Sequence, residues 1–406
     1  MDTDFTVIMV PGSDSRPTEG VSRHVYEISK RLASKGIKVL GIKPSLSGMR
    51  LTRIENYLLF EVPSIYFSLI YQRLANKISV LQQFLYYLSY KEAAKKLVSL
   101  SRSPTILHAH GFYVLSQSMI SSNTVKRLCT FHGSIPLDIA FRENKWSYKA
   151  KSLLYLLREV YSYADHYTVF VEPLKKIFAE LYGIDSQLID VVPHGVDAQF
   201  FREDPEPEEI RSIEKKYRID KPYRILFLGH LARRKNPEIM LKAMKILSSK
   251  RKDIMMIIAS RWGDYYLEAM NIIRKLNLES IVRFISEPIY GKKFIALYKI
   301  STVFINLDAI PSGYSTALLE AMASGIPPII FEHSGNRYVV DESTGFILRS
   351  LDPYELADLI NYIIENEEKL REKGKNAQTK VSTQYDWDRA VIPRYMKVYN
   401  KLLAKS

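Results

Sequence analysis

The feature that most constrains this chain is an alternation repeated from end to end. Short apolar runs rich in β-branched residues are separated by stretches with helical spacing, the pattern of parallel sheets built from βαβ units. It occurs in two series. Residues 5–10, 37–42, 106–109, 128–131, 167–171 and 190–192 are the strands predicted for the first, and 224–228, 254–259, 282–285, 303–307 and 329–331 for the second. Val21, Val25, Ile28 and Leu32 recur at helical spacing after the first strand, and Gly36 ends that helix. A chain of 406 residues exceeds one hydrophobic core, so each series is read as one Rossmann-like domain. Between them lies an acidic stretch bearing two prolines, residues 204–209, read as part of a linker over 197–222 with the boundary near 200.

Charge narrows the partners. The 58 Lys and Arg against 44 Asp and Glu leave +14, which favours a polyanion or a phosphorylated substrate. The basic residues do not form a recognition helix or an RNA-binding signature, so no nucleic-acid partner is expected. Cys129 is the single cysteine, which excludes an intrachain disulfide and fits a reducing compartment. The first residues lack a basic-then-apolar leader, and the longest stretch free of Lys, Arg, Asp and Glu, 103–125, is too polar to span a bilayer. A cytoplasmic protein is expected. One segment, 62–137, has Glu92 as its one carboxylate against Arg73, Lys77, Lys91, Lys95, Lys96, Arg102, Lys126 and Arg127, with Tyr66, Phe67, Tyr71, Phe84, Tyr86, Tyr87 and Tyr90 interleaved. Two readings stand: peripheral contact with an anionic membrane at its inner face, or aromatics in the core beneath a solvated lysine face.

Ligands of doubly wound sheets bind beyond the carboxyl ends of the strands, so residues just after strands carry the functional expectation. After the first strand a loop reaches Gly20 at a helix N-terminus, where free N–H groups suit an anion. Gly229 and His230 are followed by Arg233, Arg234 and Lys235, cations at a strand-to-helix mouth that would neutralise a diphosphate leaving group. Asn236 is the expected N-cap of the next helix and Pro237 its first residue. Ser312, Gly313, Tyr314 and Ser315 lead into a helix on which Thr316 and Glu320 share a face, placing amides for phosphate and a carboxylate for vicinal hydroxyls. His108, His110 and His132 end two strands of the first domain. A zinc site there is conceivable, but no cysteine or carboxylate accompanies them, so no metal is assigned and they are read as polar residues touching the acceptor or the transferred sugar.

Together these residues resemble glycosyltransferase family 4. The motifs that carry the resemblance are Glu19-Gly-Val-Ser-Arg-His24, Leu107-His-Ala-His-Gly111, Phe131-His-Gly133, Val192-Pro-His-Gly-Val-Asp197, the loop from Gly229 to Lys235, Leu319-Glu-Ala-Met-Ala-Ser-Gly325 and Ser343-Thr-Gly-Phe346. The resemblance implies a GT-B fold, two Rossmann-like α/β domains facing across a cleft: an acceptor-binding domain over 1–200, completed by a C-terminal helix over 385–406 that crosses back to it, and a nucleotide-sugar-binding domain over 201–384. It implies that Gly20 contacts the donor diphosphate, Lys235 binds it from the other domain, Glu320 holds the ribose and His132 faces the transferred sugar. Asp386-Trp-Asp388 would then open the C-terminal helix rather than hold a metal. Three departures stand out: Ser312 occupies the position of the first of the family's paired glutamates, with Ser315 replacing a glycine; His230 replaces an arginine; Glu19 replaces the first glycine of a pair.

The function expected is retaining, metal-independent transfer of a hexose from a UDP- or GDP-sugar to a glycan or lipid-linked acceptor in cell-envelope or glycoprotein glycan assembly, with no cofactor. Lys235, Arg234 and His132 are the expected catalytic residues. Gly20, His230, Arg233, Ser312, Gly313, Tyr314, Ser315, Thr316 and Glu320 are expected to bind the donor. The serine at 312 keeps a second class open, a catalytically inactive subunit that binds a nucleotide sugar or a partner enzyme.

Overall fold

The computed structural model describes residues 5–13, 20–45, 49–63, 80–118, 120, 124–260, 263–311 and 313–404. The chain divides into two compact units, Met1–His194 with Ala390–Ser406, and Gly195–Arg389.

The first unit holds an eight-stranded sheet. Its strands are β1 (Thr6–Val10), β2 (Lys38–Ser45), β3 (Arg50–Ile54), β4 (Tyr57–Pro63), β5 (Thr105–His110), β6 (Val125–Thr130), β7 (His166–Val169) and β8 (Ile189–Val191), in the order β3-β4-β2-β1-β5-β6-β7-β8. Every pairing is parallel except the β3–β4 hairpin at the edge. The chain passes from β1 through α1 (Gly20–Ser34) to β2, then returns to pair β5 on the other side of β1, so a topological switch point lies between β1 and β5. Val25, Ile28 and Leu32 are fully buried on the predicted face of α1, and Gly36 (φ 86°) ends the helix in the left-handed conformation. The hairpin is missed by the sequence reading because β3 is mostly exposed and offers no apolar run.

In the segment 62–137, Tyr90 is the one of the seven named aromatics whose side chain is described, and it lies in the core. Helix α2 (Val80–Leu100) buries Tyr90, Ala93, Ala94 and Leu97 against Ile8, Val10, Ile42 and Leu107, as a crossover helix should, and Lys96 faces solvent. Tyr66, Phe67, Tyr71, Arg73 and Lys77, and the side chains of Phe84, Tyr86 and Tyr87, lie outside the described residues. Among the described residues no helix is long and apolar enough to cross a membrane.

After β6 come α3 (Ile135–Arg142) and α4 (Tyr148–Tyr161), and after β7 comes α5 (Glu172–Tyr182). The second unit begins with α6 (Ala198–Arg202) and α7 (Pro207–Tyr217). The predicted linker is therefore helical. Glu206 and Glu209 form a reciprocal capping box at the start of α7, with Pro207 in its first turn, so the acidic, proline-bearing composition reflects a helix start. Phe201 packs edge-on against Tyr298, which ties α6 to the second unit and puts the division at His194/Gly195.

The second sheet is six-stranded and all parallel: β9 (Tyr223–Leu228), β10 (Ile254–Ala259), β11 (Val282–Ile285), β12 (Val303–Asn306), β13 (Pro328–Phe331) and β14 (Phe346–Leu348), in the order β11-β10-β9-β12-β13-β14. Its switch point lies between β9 and β12. Alternate residues feed two cores: Ile225, Phe227, Met256, Ile258 and Ile305 enter one, while Leu226, Met255, Ile257 and Phe304 enter the other. Burial on both faces is why these strands read as continuous apolar runs. Each such side chain contributes about 1.5–3 kcal/mol. Helices α8 (Pro237–Lys250), α9 (Tyr266–Lys275), α10 (Lys292–Lys299), α11 (Thr316–Ala323), α12 (Pro353–Glu365) and α13 (Glu367–Gln384) complete the unit. The chain then returns as α14 (Ile392–Ala404), whose residues belong to the first unit. At the return, Asp386 accepts from the backbone N–H groups of Ala198, Asp388 and Arg389, the capping role expected of the Asp386-Trp-Asp388 motif.

Candidate active site

In the second unit the loops leaving β9 and β12 are stitched together at the switch point. Asn236 stands before α8 as predicted, but in the left-handed conformation (φ 51°) and without capping the helix. Its Nδ2 instead donates to the Leu307 carbonyl (2.8 Å) and the Arg234 carbonyl (3.3 Å). The Ala309 amide donates to the same Arg234 carbonyl at 3.0 Å. Pro237 follows as the first helical residue.

The three cations of this loop have different surroundings. Arg233 is exposed and donates twice to Glu268, at 2.7 and 3.0 Å, while its guanidinium lies over the Tyr265 ring. Arg234 pairs with Asp308, which stands just beyond β12. Lys235 is 6 % exposed, and among the described residues no carboxylate lies within ion-pair distance of it. Burial lowers its pKa to about 8, Asp308 pulls it back up and Arg234 pushes it further down. Gly229 sits at φ 131°, a backbone conformation that favours glycine, and a Cβ there would stand 2.9 Å from the Lys235 ammonium. His230 is exposed beside it.

The loop after β12 leads to Ser315, the residue before α11, which makes no side-chain cap. Asn336 Oδ1 accepts from the Ser315 amide at 3.1 Å, and Gly335 lies so close to Gly313 that any Cβ would overlap the Gly313 carbonyl oxygen. Gly313, Tyr314, Ser315 and Thr316 are half-buried, whereas Ser312 lies outside the described residues. Glu320, one turn into α11, is 4 % exposed, and one of its carboxylate oxygens accepts from the Tyr298 hydroxyl at 2.7 Å. Lys235, Asp308, Glu320 and the start of α11 thus all stand at the carboxyl edge of adjacent strands.

The first unit gathers histidines at the same edge of its own sheet. His108 is fully buried and both ring nitrogens are engaged, Nδ1 with the Tyr399 hydroxyl (2.9 Å) and Nε2 with Thr130 Oγ1 (2.7 Å). It is therefore a structural residue rather than one that touches a substrate. His110 Nδ1 and His132 Nε2 share a proton across 3.0 Å, and His24 reaches the Tyr395 hydroxyl at 3.0 Å. The His24 ring lies 4.6 Å from that of His194, tilted, and 5.0 and 5.6 Å from those of His132 and His110, edge-on. Ring nitrogens of His24, His110 and His132 lie within 4.8 Å of one another, so His24, and not His108, completes the trio that geometry could offer to a metal. The imidazoles of His24, His108, His110 and His132 are held neutral. Burial lowers His108 to about 3, and burial followed by repulsion from neighbouring imidazoles lowers His24, His110 and His132. Gly20 begins α1, exposed, with nothing within 4 Å of where a Cβ would stand.

In the first unit His110 and His132 meet, and Gly20 opens α1, the helix that carries His24; in the second, His230, Arg233, Arg234 and Lys235 follow β9, and Gly313 to Thr316 and Glu320 follow β12. Sequence reasoning missed Asp308, Tyr298, Asn336, His24 and His194. Asp308 and Asn336 were within reach of the rule already applied, since both closely follow strands. Tyr298 was not, because it lies inside a helix and acts only through the fold.

Residues 18–200 match the family described as Glycosyltransferase Family 4, and residues 209–380 match Glycosyl transferases group 1. Over 186 residues the chain is 30% identical to spore coat protein SA of Bacillus subtilis, covering 44% of this chain and 48% of that protein. Over 214 residues it is 26% identical to the D-inositol 3-phosphate glycosyltransferase of Paenarthrobacter aurescens, covering 51% and 50%. These matches span about half the length of each relative. Among solved structures, Anabaena HepE in complex with UDP-glucose superposes with a TM-score of 0.70 at 16% identity, covering 99% of this chain and all of that one.

Proposed function

The chain belongs to the family 4 glycosyltransferases of GT-B fold, and from that premise we propose that it transfers a hexose from a UDP- or GDP-sugar, with retention of configuration, to a glycan or lipid-linked acceptor. The observation that carries the reading is Lys235: a buried cation without a carboxylate partner among the described residues, at the β9–β12 switch point. Such a group is matched to a diphosphate. The bound UDP-glucose of Anabaena HepE supports a nucleotide-sugar donor on the same fold.

In the reaction the bond from the anomeric carbon to the diphosphate oxygen breaks, and a bond to the acceptor oxygen forms on the same face. The departing phosphate oxygen takes the acceptor's proton, so no enzyme nucleophile is needed. Lys235 and the amides opening α11 stabilise the growing charge on the diphosphate, Glu320 holds the ribose, Gly20 adds backbone contact to the phosphates, and His132 contacts the transferred sugar. Arg233 and Arg234 add less than their charges indicate, because Glu268 and Asp308 already neutralise them. The reaction needs no metal and no cofactor. The chain works on the cytoplasmic side, in peripheral contact with an anionic membrane.

Thermal stabilisation of the purified protein by a panel of UDP- and GDP-sugars tests the donor. Stabilisation by at least one, abolished in Lys235→Ala, is the expected result. A flat panel sinks the proposal, and activity that disappears with a chelator would instead assign an ion to His24, His110 and His132. Ser312 supports one alternative, a subunit that binds the donor without turning it over. Stabilisation with neither hydrolysis nor transfer would select it.

A further inference from the structure

The first unit carries an exposed aromatic and basic face on the helix that follows α3. Helix α4 packs through Ala150, Leu157, Val160 and Tyr161. Its opposite face carries Tyr148, 87 % exposed, and Tyr155, 81 % exposed, with Leu156 at 40 % and Trp146 at 38 % just ahead of the helix. At about 100° per residue the two tyrosines fall within roughly 20° of one line along the helix. Lys149 and Leu156 flank that line on one side, Lys151 and Arg158 on the other, and Lys145 adjoins Trp146. Glu159 lies on the line in the last turn and marks where the face ends. Among the described residues Lys145, Lys149 and Lys151 make no ion pair.

A central aromatic strip bordered by cations is the layout of a helix lying in a membrane interface. Tyrosine and tryptophan suit the headgroup level, with an apolar ring and a polar tip, and lysines on both flanks reach anionic phosphates while their stems cover apolar surface. A second copy of the chain fits this face poorly, since a two-fold contact would bring the same lysines together.

We propose that the α4 face, with Trp146, Tyr148, Tyr155, Leu156 and the flanking Lys145, Lys149 and Lys151, docks the protein on an anionic lipid bilayer. The inference deepens, and rests on, the reading that the enzyme works at a membrane; the helix lies in the same β6-to-β7 connection as His132.

Co-sedimentation with phosphatidylcholine vesicles, with and without about one-third phosphatidylglycerol, tests it at low and physiological salt. The expected result is binding to the anionic vesicles alone, weakened by salt, with a blue shift in tryptophan emission that Trp146→Phe removes. Each cation near the surface strengthens binding about fivefold, so Lys149→Glu with Lys151→Glu should weaken it twentyfold or more. Tyr148→Ser with Tyr155→Ser alters exposed residues only, so it should keep the thermal stability and donor response of the natural chain while losing most vesicle binding. Natural protein left in the supernatant with both vesicles, or vesicle binding unchanged in both double variants, overturns the proposal. So does a dimer in solution that the tyrosine variant dissociates. Vesicle failure with donor stabilisation intact removes this inference alone, whereas a flat donor panel beside anionic-vesicle binding removes the sugar-transfer reading alone.

Discussion

The carboxyl edges of the two sheets solve opposite electrostatic problems with the same topology. In the first unit His24, His108 and His110 are buried, held neutral by desolvation, and His24 and His108 bond to phenols of the returning helix α14. In the second unit the buried group is a cation, and burial acts against its charge: lowering Lys235 from 10.5 to about 8 corresponds to roughly 3 kcal/mol. Asp308 offsets part of that, while Arg234 adds to it. A neutral imidazole cluster is compatible with a neutral sugar and with close packing. A strained cation makes sense only when an anion arrives to relieve it. Under the proposed reading the sugar and acceptor contacts fall to the first edge, with a backbone contact to phosphate from Gly20, and the charge that stabilises the diphosphate comes from the second.

The largest effect that would break this contrast is expected at Lys235. Lys235→Ala should lower turnover about 10²–10³-fold in steady-state kinetics, the scale for removing one preorganised charge from a leaving group. The same lysine predicts a pH response. Below about 8 it is protonated, the form the proposed diphosphate contact requires; as pH rises through that value, affinity for UDP should fall by up to tenfold per pH unit, measured by calorimetry. Lys235→Arg should flatten that dependence. Near-natural activity in the alanine variant, or a flat profile in the natural chain, would remove the lysine from the chemistry.

The histidine edge predicts the opposite pH direction, and in stability rather than binding. The folded-state pKa values of His24, His108 and His110 are depressed, so the unfolded chain takes up protons first as pH falls through its ordinary value near 6.5. Stability is full above that pH and should be lost below it, by about 1.4 kcal/mol per pH unit for each group, and so by roughly 4 kcal/mol per unit for the three. Denaturant titrations at descending pH read this directly. A stability curve level between pH 6.5 and 5 would mean that these imidazoles are not buried neutral.

How much of this was legible in the sequence differs between the edges for a physical reason. Strands β9 to β13 are buried on both faces, so their apolar runs stood out, and the cations after β9 could be placed by the rule for strand ends. The rule found each charge but not its partner: Glu268 and Asp308 come from elements remote in sequence, and the pairing that distinguishes Lys235 from its neighbours exists only once β9 lies between β10 and β12. His108 and His110 were read alike because they share a strand face. The fold separates them, giving His108 to Tyr399 and Thr130 and His110 to His132. The stretch 197–222 was misread because the composition of a helix start resembles that of a linker. Only the burial of Phe201, Ile213 and Ile219 distinguishes them.

The smallest expected effect sharpens the comparison most, because it makes the same chemical deletion at both edges. Tyr298 donates to Glu320 in the second unit, and Tyr395 meets His24 in the first. Tyr298→Phe removes a hydrogen bond to a carboxylate, worth about 1.5–3 kcal/mol where the acceptor is charged. If that bond only orients Glu320 for ribose, the variant should bind the donor about three- to tenfold more weakly with turnover nearly unchanged, a split seen in KM rather than kcat. Tyr395→Phe should leave donor affinity as it is, and remove the hydroxyl that meets the buried His24 Nε2 at 3.0 Å at a cost of about 1–3 kcal/mol. The expected reading is a melting temperature lower by a few degrees. Equal effects of the two variants on donor affinity would mean that both edges serve the diphosphate, contrary to the division drawn between a neutral edge and a charged one.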